Sequence, residues 1–198
     1  MFARQWRNLS AWVVCAAALT LTAPRAEAQR ALPSVNTPLG KAVVEYRDQA
    51  IQMVAAYNYS QRNHDSPWLL IEAGLTGRDA IINRGDIVLR TPQGLEIPLA
   101  SQRRVGEDTT RIARLLQQSR VVRHDVPSYF NQRDRIESMR LFTLPFGSVV
   151  HDSFVIDRDR LAIGPLFFES PTGAWEDGTY ALVVRLGEGT AELPIRLE

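Results

Sequence analysis

The chain has 198 residues, with 23 basic against 22 acidic side chains, a mean hydropathy of −0.16 and a single cysteine, Cys15. So even a charge balance excludes the positive field that holds a phosphate backbone, and nucleic acid is not an expected partner. One cysteine excludes an internal disulfide or a cysteine-built zinc site.

The first 28 residues read as a secretory signal. Arg4 and Arg7, with no acid among them, precede an apolar stretch from Leu9 to about Ala23, and Ala26-Glu27-Ala28 follows as the small-x-small pattern a signal peptidase accepts. Cleavage is expected between Ala28 and Gln29. The apolar run is broken by Ser10, Thr20 and Thr22, and it falls short of the roughly 20 residues a membrane-spanning helix needs. The expected product is exported, periplasmic or extracellular, with no membrane span once the signal is gone. Its removal takes away Cys15, three of the 23 bases and one of the 22 acids, leaving a net charge of −1.

Residues 29–36, with Pro33, read as a flexible tether. Residues 37–198 are of a size that buries a substantial core as one domain. Thr37-Pro38 is a good helix start. Leu39, Val43, Tyr46, Ala50, Met53, Val54 and Tyr57 then recur at spacings of three and four, predicting an amphipathic helix over about 38–60. Its stripe is either a core face or, if exposed, an assembly face.

After Pro67 the period changes to two. Leu69, Ile71, Ala73 and Leu75 share one face and Leu70 and Glu72 the other. Residues 87–90 and 95–99 flank Thr91-Pro92-Gln93-Gly94, with proline and glycine where a type I turn favours them, so a hairpin is predicted. A short inserted helix is expected over about 108–120, capped by Asp108 or Thr109, with Ile112, Leu115, Leu116 and Ser119 along one side. Residues 123–135 read as a long loop carrying Tyr129 and Phe130, which either plug the core or meet a ligand.

Strands are predicted at 140–144, 149–156, 161–168, 180–186 and 191–197, separated by Asp157-Arg158-Asp159-Arg160, Ser170-Pro171-Thr172-Gly173, Asp177-Gly178 and Gly187-Glu188-Gly189. The expected fold is mainly β: an antiparallel two-sheet β-sandwich with the rhythm of immunoglobulin-like domains, an N-terminal helix and one inserted helix. The Cys-Trp-Cys framework of antibody domains is absent.

Three histidines precede aspartates, at His64-Asp65, His124-Asp125 and His151-Asp152. Three imidazoles with carboxylates behind them could hold zinc for a metal-dependent hydrolase acting on an envelope substrate. The spacings match no compact ligand motif, and Asp after His also suits an ordinary turn. Ser128, Ser138, Ser148 and Ser153 lie in no Gly-x-Ser-x-Gly elbow. Asp157 and Asp159 form part of a calcium-loop spacing without its third acid or its glycine. Glu169, Glu176 and Asp177 near Trp175 suggest a carbohydrate site, but an acidic turn before a strand, with a tryptophan packed at the sandwich edge, explains them better. No phosphate-binding glycine loop or dinucleotide fingerprint appears, and no cofactor is expected. The function expected is that of a non-catalytic binding module for another protein or an envelope polymer, engaged through loops or an exposed sheet edge. The metal-dependent hydrolase is the alternative.

Overall fold

Among the described residues, twelve strands, three short helices and three single-turn 3-10 segments lie between Val35 and Leu197. They are seen in a computed structural model that describes residues 35–198 apart from 64, 65, 123, 132–134, 145, 146, 148 and 188. The predicted signal lies outside the described residues, as does the tether up to residue 34. Among the described residues no helix is long and apolar enough to cross a membrane.

The predicted N-terminal helix is replaced by strands β1 (Val35–Gly40), β2 (Val43–Arg47) and β3 (Ile51–Ala56), with only α1 (Asn58–Arg62) helical at its end. Val35 and Asn36, expected in the tether, belong to β1. Apolar residues here face both ways. In β3, Met53 and Ala55 enter one buried cluster, while Val54 and Ala56 enter another on the opposite face. A strand covered on both sides has no alternation to read, and its continuous apolar run fits a helical period as well as any other. Asp48 decides the matter locally: its Oδ1 accepts from the Ala50 and Ile51 amides at 2.7 and 2.8 Å, closing the β2–β3 turn.

Strand β4 (Trp68–Gly77) keeps the predicted alternation and is followed by β5 (Ala80–Asn83). The predicted hairpin is β6 (Ile87–Arg90) and β7 (Glu96–Pro98). Its turn closes with the Gly94 amide donating to the Thr91 carbonyl at 2.9 Å, and Gly94 takes φ +88°. The inserted helix is a pair, α2 (Gln102–Glu107) and α3 (Thr109–Ser119).

Beyond it, the loop expected to run to residue 135 ends in β8 (Arg135–Ser138). The strand predicted at 140–144 does not form. Arg84 donates to the Leu141 carbonyl, and the Gln102 side chain brackets Thr143, donating to its carbonyl at 2.7 Å and accepting from its amide at 3.0 Å. Side chains thereby satisfy the backbone groups a neighbouring strand would have taken. The remaining strands are β9 (Ser153–Ile156), β10 (Arg160–Glu169), β11 (Gly178–Leu186) and β12 (Gly189–Leu197).

The protein is therefore mainly β, built of largely antiparallel sheets. One sheet runs β1-β2-β3-β4-β10-β8, a second β12-β11-β6-β7, and a ribbon pairs β5 with β9. Among the described strands only β8 against β10 is parallel. Ile71 and Leu75 of the six-stranded sheet and Leu89, Leu182 and Leu193 of the four-stranded one belong to a single buried cluster. The outer face of the six-stranded sheet is covered twice. The α2–α3 pair seats Val105, Ile112 and Leu115 on Trp68, Leu70 and Phe167. The turn at 126–130 seats Val126 and Phe130 on Val43, Val54 and Leu161. Phe130 thus plugs the core, the first of the two roles foreseen for the aromatic pair.

Candidate functional site

The residues marked for chemistry are dispersed. His64 and Asp65 lie outside the described residues. His124 is held by the Tyr129 hydroxyl, 3.1 Å from its Nδ1, and borders a cavity of about 20 Å³, room for roughly one water. His151 stands exposed in a different cleft. Asp152 has a side chain that is 95 % exposed and lies 3.4 Å from Arg84 Nε. Among the described residues no three of His, Cys, Asp and Glu are grouped to hold a metal.

The other candidates serve the fold. Ser128 donates from its hydroxyl to the Asp125 carbonyl at 2.7 Å, closing a turn. Asp157 accepts from the Asp159 amide at 2.9 Å and pairs with Arg160 at 3.2 Å, so these acids shape the tight turn between β9 and β10. Glu169 takes Arg104 through both its carboxylate oxygens, and the Arg104 guanidinium also lies over the Trp68 ring at 5.8 Å. Trp175 is 6 % exposed and stacks edge-on to Tyr180 at 5.7 Å, leaving no open ring face for a sugar. The stripe considered as an assembly face is spent on the core: Val43 and Met53 are fully buried and Tyr57 nearly so.

What the tertiary structure brings together instead lies around β8. This strand pairs with β10 on one side, and no strand of the described residues pairs with its other side. Its residues Ile136, Glu137 and Ser138 line two clefts at once. One, of about 370 Å³, is floored by Ile163, Gly164 and Pro165 and walled by Leu116 at the end of α3. The other, of about 490 Å³, is bounded by Arg140, His151, Ser153 and Val155. Ile136 is 59 % exposed between them.

The neighbouring sheet ends are blunted differently. A proline interrupts the hydrogen-bonding row of an edge strand and discourages another chain from pairing there. The terminal strands β1, β7 and β12 each contain one, at Pro38, Pro98 and Pro194. Strand β10 beyond its contact with β8 carries Pro165, and its Phe167 carbonyl is already taken by the Ala100 amide at 2.9 Å. Of the four terminal strands in the two larger sheets, only β8 lacks a proline. Its protection is slight: short length, and the Arg135–Glu137–Arg160 ion pairs at 3.5 and 3.3 Å. Period-two spacing in Arg135-Ile136-Glu137-Ser138, together with the distribution of prolines over the strands, was the available sequence signal. It was masked because the preceding polar run reads as loop.

In comparisons with protein-family models, curated proteins and solved structures, nothing matches this chain.

Proposed function

We propose that the chain is an exported, non-catalytic β-sandwich module that binds an extended segment of another protein by strand addition along β8. The observation that carries this reading is the edge itself, a strand paired on one side only among the described residues, whose Ile136, Glu137 and Ser138 line two clefts. Such an edge supplies main-chain hydrogen bonds for affinity, and clefts on either face receive alternate side chains for specificity. An extended polymer without amides would find the clefts but not the hydrogen-bonding row, so a polypeptide fits better than a polysaccharide. The signal-like order of Arg4 and Arg7, the apolar run and Ala26-Glu27-Ala28 supports export. The buried cluster shared by the two larger sheets supports the sandwich.

The metal-dependent hydrolase has less support, because His124 is turned to Tyr129 while His151 borders another cleft.

The test is a display selection of random seven-residue peptides on the chain from Gln29 onward, followed by fluorescence anisotropy of the enriched sequences. Enriched peptides are expected to lose at least tenfold in affinity when alternate amides are N-methylated, since this deletes main-chain donors and leaves side chains intact. Ile136→Lys is expected to weaken them as well. Enriched peptides indifferent to either change, or no enrichment at all, would overturn the reading.

A further inference from the structure

The β8 edge does not simply fade out; it ends in a pinned bend. The Met139 amide donates to the Ile163 carbonyl at 2.9 Å and its side chain is buried, packed where Gly164 has no Cβ. Arg140 then takes φ +48°, the only positive φ among the described non-glycine residues. The His151 amide holds this bend by donating to the Arg140 carbonyl at 2.9 Å, and the Ser138 hydroxyl accepts from the Arg140 amide at 3.4 Å. A left-handed arginine is a conformation the surroundings must impose, and such residues concentrate at functional positions. No chain paired with β8 can continue its hydrogen-bonding row past Ser138.

Engaged and unengaged charges part at the same place. Alongside the row, the wall of the 490 Å³ cleft carries Glu137 and Arg160, paired with each other, and Glu137 also pairs with Arg135. Beyond its end the wall carries Arg140 and His151, neither of whose side chains makes an ion pair or hydrogen bond among the described residues. An acidic side chain within the paired stretch would meet Glu137 and two guanidinium groups that Glu137 already engages. A carboxylate at the end of the docked strand would meet an unpaired guanidinium, an imidazole and the Ser153 hydroxyl.

Resting on the strand-addition reading, we infer that the occupant is the free C-terminal segment of a partner polypeptide, lying parallel to β8 with its terminal carboxylate against Arg140 and His151. A guanidinium recognises a carboxylate through charge-assisted hydrogen bonds, and the terminal carboxylate is the one group an internal segment cannot offer. Parallel docking continues the β10–β8 sense, so the partner's last residue falls where β8 ends.

The experiment compares one enriched peptide in two forms, free acid and C-terminal amide, by fluorescence anisotropy on the chain from Gln29 onward. The acid is expected to bind about tenfold more tightly. In Arg140→Asn, which removes the charge and keeps a residue type that tolerates the left-handed conformation, the two forms are expected to bind alike. His151→Gln is expected to narrow the difference, and far-ultraviolet circular dichroism checks that each variant is folded. Equal binding of acid and amide to the unaltered chain would overturn the carboxylate inference and leave strand addition standing. Preference for an internal Asp or Glu, or an acid preference that persists in Arg140→Asn, would do the same. Peptides that lose nothing on N-methylation would overturn both.

Discussion

Arg84 shows how much one side chain can hold in this fold. It is largely buried, donates to the Ala100 carbonyl at 2.8 Å and to the Leu141 carbonyl, and lies over the Phe142 ring at 4.8 Å. Three separated segments meet on one guanidinium. Arg84→Met would keep most of the apolar volume and strand two carbonyls. We expect a loss of about 3 kcal/mol in urea unfolding, with Arg84→Lys recovering part of it; a loss within experimental error would show that water replaces the guanidinium freely. The close approaches are equally specific. A Cβ on Gly77 would stand 2.3 Å from the Ala50 carbonyl oxygen, so the end of β4 fits beside the β2–β3 turn only as a glycine. None of these roles was legible from residue identity, because Arg84 sits in an ordinary Asn-Arg-Gly-Asp turn. His151 is the converse: conspicuous in sequence beside Asp152, it owes its interest to a cleft assembled by β8 and β9.

At the scale of elements, the outer surface of the four-stranded sheet carries a ladder of charge. Arg185 reaches Glu96, Glu96 faces Arg90 at 3.4 Å, and Arg90 faces Glu192 at 3.0 Å. It crosses all four strands and roofs Val183, which is fully buried although it points away from the core. The hydrogen bond from Arg185 holds the Glu96 carboxyl below its ordinary range, against some desolvation. A depressed pKa contributes stability that is present above the unfolded value and lost as pH falls through the folded one. The melting temperature of the unaltered chain should therefore exceed that of Glu96→Gln most at pH 7, with the gap closing below about pH 4. Both groups are well exposed, so added salt should shrink the gap too. A gap unchanged between pH 7 and pH 3 would mean the ladder contributes nothing. Legibility was uneven among the elements. The β6–β7 and β11–β12 hairpins were readable because Gly94 and Gly187 mark turns that need positive φ. Strands β1 to β3 were misread because both faces of β3 are covered, and β8 was missed because its pairing partner β10 lies more than twenty residues further along the chain.

At the scale of the molecule, the described residues form one compact unit. Inner side chains of both larger sheets share its central cluster, while satellite clusters sit under the helices and the 126–130 turn. A shared core makes the sheets interdependent, so we expect a single cooperative transition in urea, followed alike by circular dichroism and by tryptophan fluorescence. Trp68 reports from the outer face of the six-stranded sheet and Trp175 from beside β11. Two separated transitions would show that the sheets fold independently. The amino-acid sequence by itself determined the β-rich composition, the β6–β7 and β11–β12 hairpins and the helical insertion, since alternation, turn residues and caps act over a few residues. Only the tertiary structure decided that residues 35–56 form strands β1 to β3, that His124 and His151 border different cavities, and that no described strand pairs with the outer side of β8, beside Arg140. Those outcomes depend on which surfaces cover one another, and partners distant in sequence leave no mark in the local pattern.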